Sequence, residues 1–221
     1  MARAALWLGG SNLASQLLRL VSNLVLTRLL VPEAFGLMAL ANTLYLALVM
    51  CSDLGVWQCV VRSARCGDER FLGTAWMVQW SRAALLASVV VLLALVLRTH
   101  AIQSLFPADT VYRDPRAAPM VAAFALAALL QAAESMKLAL AMRELRGSEL
   151  ARLEFSSLVA SVVTTLLLAA LTHSVWAPVI GSLVGTCTRT AMSHWALPGP
   201  TSRPCWDRSC ARELLLSLIH I

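Results

Sequence analysis

The sequence predicts an all-α polytopic membrane protein with about six transmembrane helices, on two observations. Apolar residues make up 59% of the 221-residue chain and charged residues 14%, against roughly 45–50% and 25% in soluble domains. Apolar runs of about 20 residues, the length a helix needs to cross a bilayer, recur at 6–29, 35–57, 71–97, 119–142, 153–171 and 178–197. The net charge of +6 is scattered between these runs and not gathered on one soluble module, which argues against a nucleic-acid partner.

Arginine near a span end resists translocation and so sets topology. With the N-terminus inside, Arg3, Arg62, Arg65, Arg70, Arg143, Arg146, Arg152, Arg203, Arg208 and Arg212 fall in inner segments, and Arg28, Arg98, Arg113 and Arg116 in outer ones. The N-terminus is therefore expected in the cytoplasm. Trp7, Trp57, Trp195 and Trp206 fall near the same interface, where indole rings sit comfortably.

In the first span, at about 100° per residue, Asn12, Gln16, Arg19, Asn23 and Thr27 share a narrow arc. Ser15 and Ser22 flank it, and Leu17, Leu20, Leu24 and Val25 face elsewhere. A turn at Val31-Pro32-Glu33 leads into the second span. The third carries Arg82 one turn from Gln79. The outer loop at 98–118 contains turn signals at Phe106-Pro107-Ala108-Asp109 and Asp114-Pro115, and is too short to fold alone. The fourth span carries Glu134 and Lys137. The fifth places Ser157, Ser161, Thr164 and Thr172 on one face, available to sugar hydroxyls or to neighbouring helices. In the sixth, Gly181 and Gly185 form a small-xxx-small packing pattern, and Arg189 shares a face with Ser182, Thr186 and Ser193. Residues 198–212, rich in proline and arginine, read as a linker.

An arginine at mid-membrane costs about 2.5–3.5 kcal/mol on insertion scales, so each needs a cavity, a partner or the interface. Arg19, Arg82 and Arg189 could pair with Asp53 or Glu134, or snorkel to headgroups. The spans hold few acids, however, and Glu134 can be met by Lys137 three residues on, so a positive surplus is expected. A cationic cavity selects anions, and the planar guanidinium suits phosphate. The expected substrate-binding residues are Arg19, Arg82, Arg189, Asn12, Gln16 and Asn23.

Catalytic signals are poor. His100, His173, His194 and His220 stand at span ends or the C-terminus, with no HExxH, GxSxG or paired carboxylates, so no enzyme is expected. The six cysteines show no CxxC pair and Cys205 and Cys210 have no histidines at zinc spacing, so no metal or cofactor is expected and the thiols are read as reduced. The N-terminus is thinly basic and lacks a cleavage site, so the first helix is expected to stay attached. Residues 216–221, Leu-Ser-Leu-Ile-His-Ile, look like a translated sequencing-library adaptor. They are expected to be a scar, with the natural protein continuing beyond Leu215.

The run Ser15-Gln-Leu-Leu-Arg-Leu-Val-Ser-Asn-Leu-Val-Leu-Thr-Arg-Leu-Leu-Val-Pro-Glu-Ala-Phe-Gly-Leu-Met-Ala-Leu, followed by Ser52-Asp-Leu-Gly, resembles the opening of bacterial polysaccharide flippases. These belong to the multidrug/oligosaccharidyl-lipid/polysaccharide exporter superfamily. Glu134-Ser-Met-Lys-Leu-Ala-Leu-Ala-Met-Arg-Glu-Leu-Arg and Val175-Trp-Ala-Pro-Val-Ile-Gly-Ser-Leu-Val-Gly-Thr look like later helices of the same group, and the likeness covers residues 5–197. The resemblance implies two lobes totalling twelve to fourteen helices around a central cavity, rocking in alternating access. Residues 1–197 would be the N-terminal transmembrane lobe, 198–215 a cytoplasmic linker and 216–221 the scar.

The implied substrate is undecaprenyl-diphosphate-linked oligosaccharide, flipped across the bacterial inner membrane for O-antigen (lipopolysaccharide), capsule or exopolysaccharide assembly. The diphosphate would rest on Arg19, Arg82 and Arg189. The implied partners are this lipid-linked oligosaccharide, membrane lipids, and polysaccharide polymerase and assembly proteins. A chain ending after one lobe would be inactive alone. Cation-coupled drug exporters of the same superfamily rely on lobe acids, whereas here the first helix has none and carries an arginine. The sugar reading is therefore preferred, with a non-transporting scaffold as a third alternative.

Overall fold

The computed structural model describes residues 2–53, 55–63, 65–99, 103–104, 107, 110–199 and 203–219, with 2–9, 11 and 215–219 as backbone alone. Arg3, Trp7, His100, Phe106, Ala108, Asp109 and His220 of the expectations above lie outside the described residues or side chains. Nearly every regular element is an α-helix.

Helix α1 (Ala2–Leu29) ends before the expected turn, where extended Val31 leads into Pro32 at the start of α2 (Pro32–Ser52). Proline suits a first helical position because the N–H it lacks would have had no intrahelical partner there. The expected second span is split: Asp53 Oδ1 accepts the Gly55 N–H at 3.0 Å, and Gly55 adopts φ 63° before α3 (Val56–Arg62) begins. Glycine enters that left-handed region without a Cβ penalty. Helix α4 (Glu69–Leu97) is capped by Asp68, whose carboxylate accepts the Arg70 N–H at 3.0 Å. A 3-10 turn at Val111–Arg113 precedes α5 (Ala117–Ala132), which meets α6 (Lys137–Arg143) at a 65° bend. Helices α7 (Gly147–Thr172) and α8 (Ala177–Trp195) complete the bundle.

The protein is an all-α polytopic membrane protein. Among the described residues, α2, α4 and α7 are each long and apolar enough to cross a bilayer, and the bent α5–α6 pair supplies a fourth crossing if taken as one span. Helices α1 and α8, expected as the first and sixth spans, fall below that hydropathy because of their polar faces.

The main core joins α2, α4 and α5 with the C-terminal end of α7 and the N-terminal end of α8. Its seam is alanine-rich, with Ala117, Ala118, Ala125, Ala127 and Ala128 buried on α5, which lets α4 and α5 pack closely. Helix α1 packs mainly on α7 and leaves Leu13, Leu17, Leu20 and Leu24 exposed.

The segment read as a linker contains a further helix, α9 (Arg208–Ile219). Cys210, Ala211 and Leu214 are buried, and Cys210 and Leu214 join Cys59, Cys66, Phe71, Leu72 and Met136 in a second core. All six cysteines are free thiols. Arg65 bridges Asp68 (2.9 Å) and Glu213 (3.1 Å), fastening α9 to the start of α4 and holding the Asp68 carboxyl below its ordinary range.

Candidate functional site

A cavity of about 790 Å³ opens between α1, the α5–α6 bend, α7 and α8. Its polar wall includes Asn12, Ser15 and Arg19 of α1, Ser157 and Ser161 of α7, and Ser182, Thr186 and Arg189 of α8; Trp57, Leu138, Met142 and Leu158 supply apolar surface. The two serine-bearing helices approach closely because of Gly181 and Gly185. A Cβ at Gly185 would lie 2.8 Å from Ser161 Cβ and 3.0 Å from Ser157 O, and one at Gly181 would lie 2.8 Å from Ser161 O. The small-residue pattern is thus a packing seam that brings two hydroxyl-bearing faces side by side.

Helix α8 also builds the bend in its neighbour. Backbone groups freed where a helix breaks must find partners inside a membrane. Thr190 Oγ1 donates to Leu130 O at 2.9 Å, the Ser135 N–H donates to Ser193 Oγ at 2.9 Å, and His194 Nε2 lies 2.8 Å from Ala133 O. Lys137 Nζ in turn donates to His194 O at 3.0 Å. Ser193 therefore serves the bend, although the sequence grouped it with the Arg189 face. Lys137 likewise does not meet Glu134 as expected, because its ammonium is used on the end of α8.

Glu134, placed at the bend and 8% exposed, turns to Arg189. Arg189 Nε lies 2.9 Å from Glu134 Oε1 as an ion pair, without the alignment of a hydrogen bond, so the Nε proton has no acceptor. The other side of the guanidinium, Nη1, pairs with Glu154 of α7. The charged groups lining the cavity among the described residues are Arg19, Arg189, Glu134 and Glu154, and they cancel formally. This corrects the expected positive surplus, which left out Glu154, although it stands one turn before Ser157 and shares a helical face with Ser157 and Ser161.

The expected site residues divide into two groups. Asn12, Arg19 and Arg189 line the cavity, joined by Ser15 at helical spacing. Arg19 makes no ion pair among the described residues. Gln16 and Asn23 are exposed on α1 outside the cavity lining, as is Thr27, whose hydroxyl donates to Leu24 O at 2.8 Å. Arg82 is held elsewhere. It lies 3.8 Å from Asp53 Oδ1 and donates to Val49 O and Ser52 Oγ at 3.4 Å, neutralising the C-terminal end of α2. Gln79, one turn away, lines the cavity and donates to Gln131 O at 3.3 Å.

Sequence reasoning missed Glu154, Thr190 and His194. The clue available was the run Arg189-Thr190-x-x-Ser193-His194, polar at the end of an otherwise apolar helix. No metal-holding group of histidine, cysteine and acidic side chains occurs among the described residues.

No curated protein and no solved structure matches the chain. A family model does: that for the polysaccharide biosynthesis protein family aligns with residues 25–217, from the last turn of α1 through α9. With a polytopic helical fold and a match over most of its length, the chain belongs to the polysaccharide biosynthesis protein family.

Proposed function

We propose that this chain forms one lobe of a transporter that moves an undecaprenyl-diphosphate-linked oligosaccharide from the inner to the outer leaflet of the bacterial inner membrane. The reading is transport and not catalysis, serving surface polysaccharide assembly, with the N-terminus in the cytoplasm and a second lobe closing the cavity. The observation that carries it is the cavity itself: Arg19, free of ion pairs among the described residues, shares it with Arg189 and a wall of serines. Guanidinium groups take phosphate oxygens in pairs, and hydroxyls and Asn12 suit sugars. The exposed apolar face of α1 suits the prenyl chain and membrane lipid. Polysaccharide polymerase and assembly proteins are the partners this reading names.

In the whole protein, Arg19→Ala is expected to abolish surface polysaccharide at an unchanged protein level. Normal polysaccharide in that strain would sink the proposal. Glu134 and Glu154 favour a second reading, export of cationic compounds. Its signature is resistance to cationic drugs that disappears in Glu154→Gln while polysaccharide stays normal.

A further inference from the structure

The Arg189 clasp presents a chemical conflict. Two carboxylates and one guanidinium leave that cluster with a formal charge of −1 at the cavity wall, and a guanidinium engaged on both sides cannot also grip a phosphate bidentately. A group that neutralises one carboxylate removes both difficulties together. The charged and titratable groups around Glu134 are Arg189 and His194 from α8, Glu154 from α7, Lys137 from α6 and, across the shared cavity, Arg19 from α1. Lys137 and His194 are turned to backbone carbonyls at the bend, and neither forms an ion pair with Glu134 or Glu154. Arg19 pairs with no carboxylate among the described residues.

We infer that Glu134 and Glu154 form a proton-binding pair whose protonation releases Arg189 to a sugar-linked diphosphate, so that proton and anionic ligand bind together. One proton adds to a carboxylate oxygen, the carboxylic acid lets go of the guanidinium, and the freed N–H groups turn to phosphate. Because the carboxylates share one arginine, the proton belongs to the pair and not to either residue. The coupling is reciprocal: ligand raises proton affinity as much as proton raises ligand affinity. The site also ties the event to the fold, since Glu134 stands at the α5–α6 bend and its release removes an ion pair that joins the bend to α8.

This inference rests on the proposed diphosphate site. The test uses the full chain in lipid nanodiscs, with uridine diphosphate glucose as probe because its diphosphate keeps constant charge across the neutral range. Calorimetry in two buffers of different ionisation enthalpy reads affinity and proton uptake together. Affinity is expected to weaken by up to about tenfold per pH unit on alkalinisation, with uptake approaching one proton per ligand. Glu134→Gln and Glu154→Gln each mimic the protonated pair, and both should bind with the low-pH affinity at every pH.

A flat pH profile in the wild type, with binding still lost in Arg19→Ala and Arg189→Ala, overturns the proton pair and leaves the diphosphate site standing. Replacing choline by sodium at fixed pH should change nothing; a sodium requirement overturns the proton assignment. Absence of binding at every pH removes the diphosphate site and the proposed function with it. If the glutamine variants fold poorly, proton uptake by the wild type alone decides, and zero uptake refutes the pair.

Discussion

Arg82 and Arg189 look alike in the sequence, each an arginine on the polar face of a long helix, but they have different neighbours. Arg82 caps the end of α2 and is matched by Asp53, whereas Arg189 faces the cavity between two glutamates. Replacing Arg82 with Ala is expected to cost about 1 kcal/mol in stability, visible as a lower melting temperature in detergent, and to leave uridine diphosphate glucose binding intact. Replacing Arg19 with Ala should do the reverse, because it removes a cation that makes no ion pair among the described residues. An equal loss of binding in both would mean that Arg82 reaches the ligand. The helical arc of Asn12, Gln16, Arg19, Asn23 and Thr27 was legible in the sequence, but which of them meets the cavity was not. Asn12 and Arg19 line the cavity, whereas Gln16 and Asn23, equally exposed on α1, lie outside its lining.

At the scale of elements, helices hold one another in shape through a few small or polar residues. A methyl group at Gly181 meets the α7 backbone, so Gly181→Ala should destabilise the protein by about 1–3 kcal/mol through overpacking. Thermal unfolding in nanodiscs would show it; an unchanged midpoint would mean α7 and α8 separate freely. Ser193→Ala leaves the buried Ser135 N–H without its acceptor, a loss of about 1–3 kcal/mol, and should quicken hydrogen exchange at the α5–α6 bend ahead of other segments. Helix α9 makes a separate case. Leu214→Asp puts a charge into the second core and should expose Cys210, buried in the wild type, to maleimide. The Asp68 cap beside it carries a pH signature. Its folded pKa lies below the usual 3.8 because Arg65 donates to it. Its contribution is therefore present above 3.8 and lost as pH falls below it, so acid should loosen the start of α4, whereas alkalinisation should not.

At the scale of the molecule, arginine distribution gives one orientation, testable without a structure. Cys205, exposed between α8 and α9, should resist an impermeant maleimide in intact cells, while a cysteine at Thr110 should react; the opposite pattern would invert the topology. Composition and apolar run length alone determined that the protein is helical and membrane-embedded, because a bilayer demands long apolar helices whatever their order. Regular spacing likewise exposed the Gly181–Gly185 seam and the polar faces of α1 and α8. Tertiary structure decided what spacing along one helix cannot contain. It broke two of the expected spans, through an Asp53–Gly55 turn in one and the side chains of α8 in the other, and it turned residues 208–219 into a packed helix. It also brought Glu134 and Glu154, twenty residues apart and on different elements, to opposite sides of Arg189. A charge pair between helices depends on how they pack, and the periodicity of each helix records only which way its own side chains point.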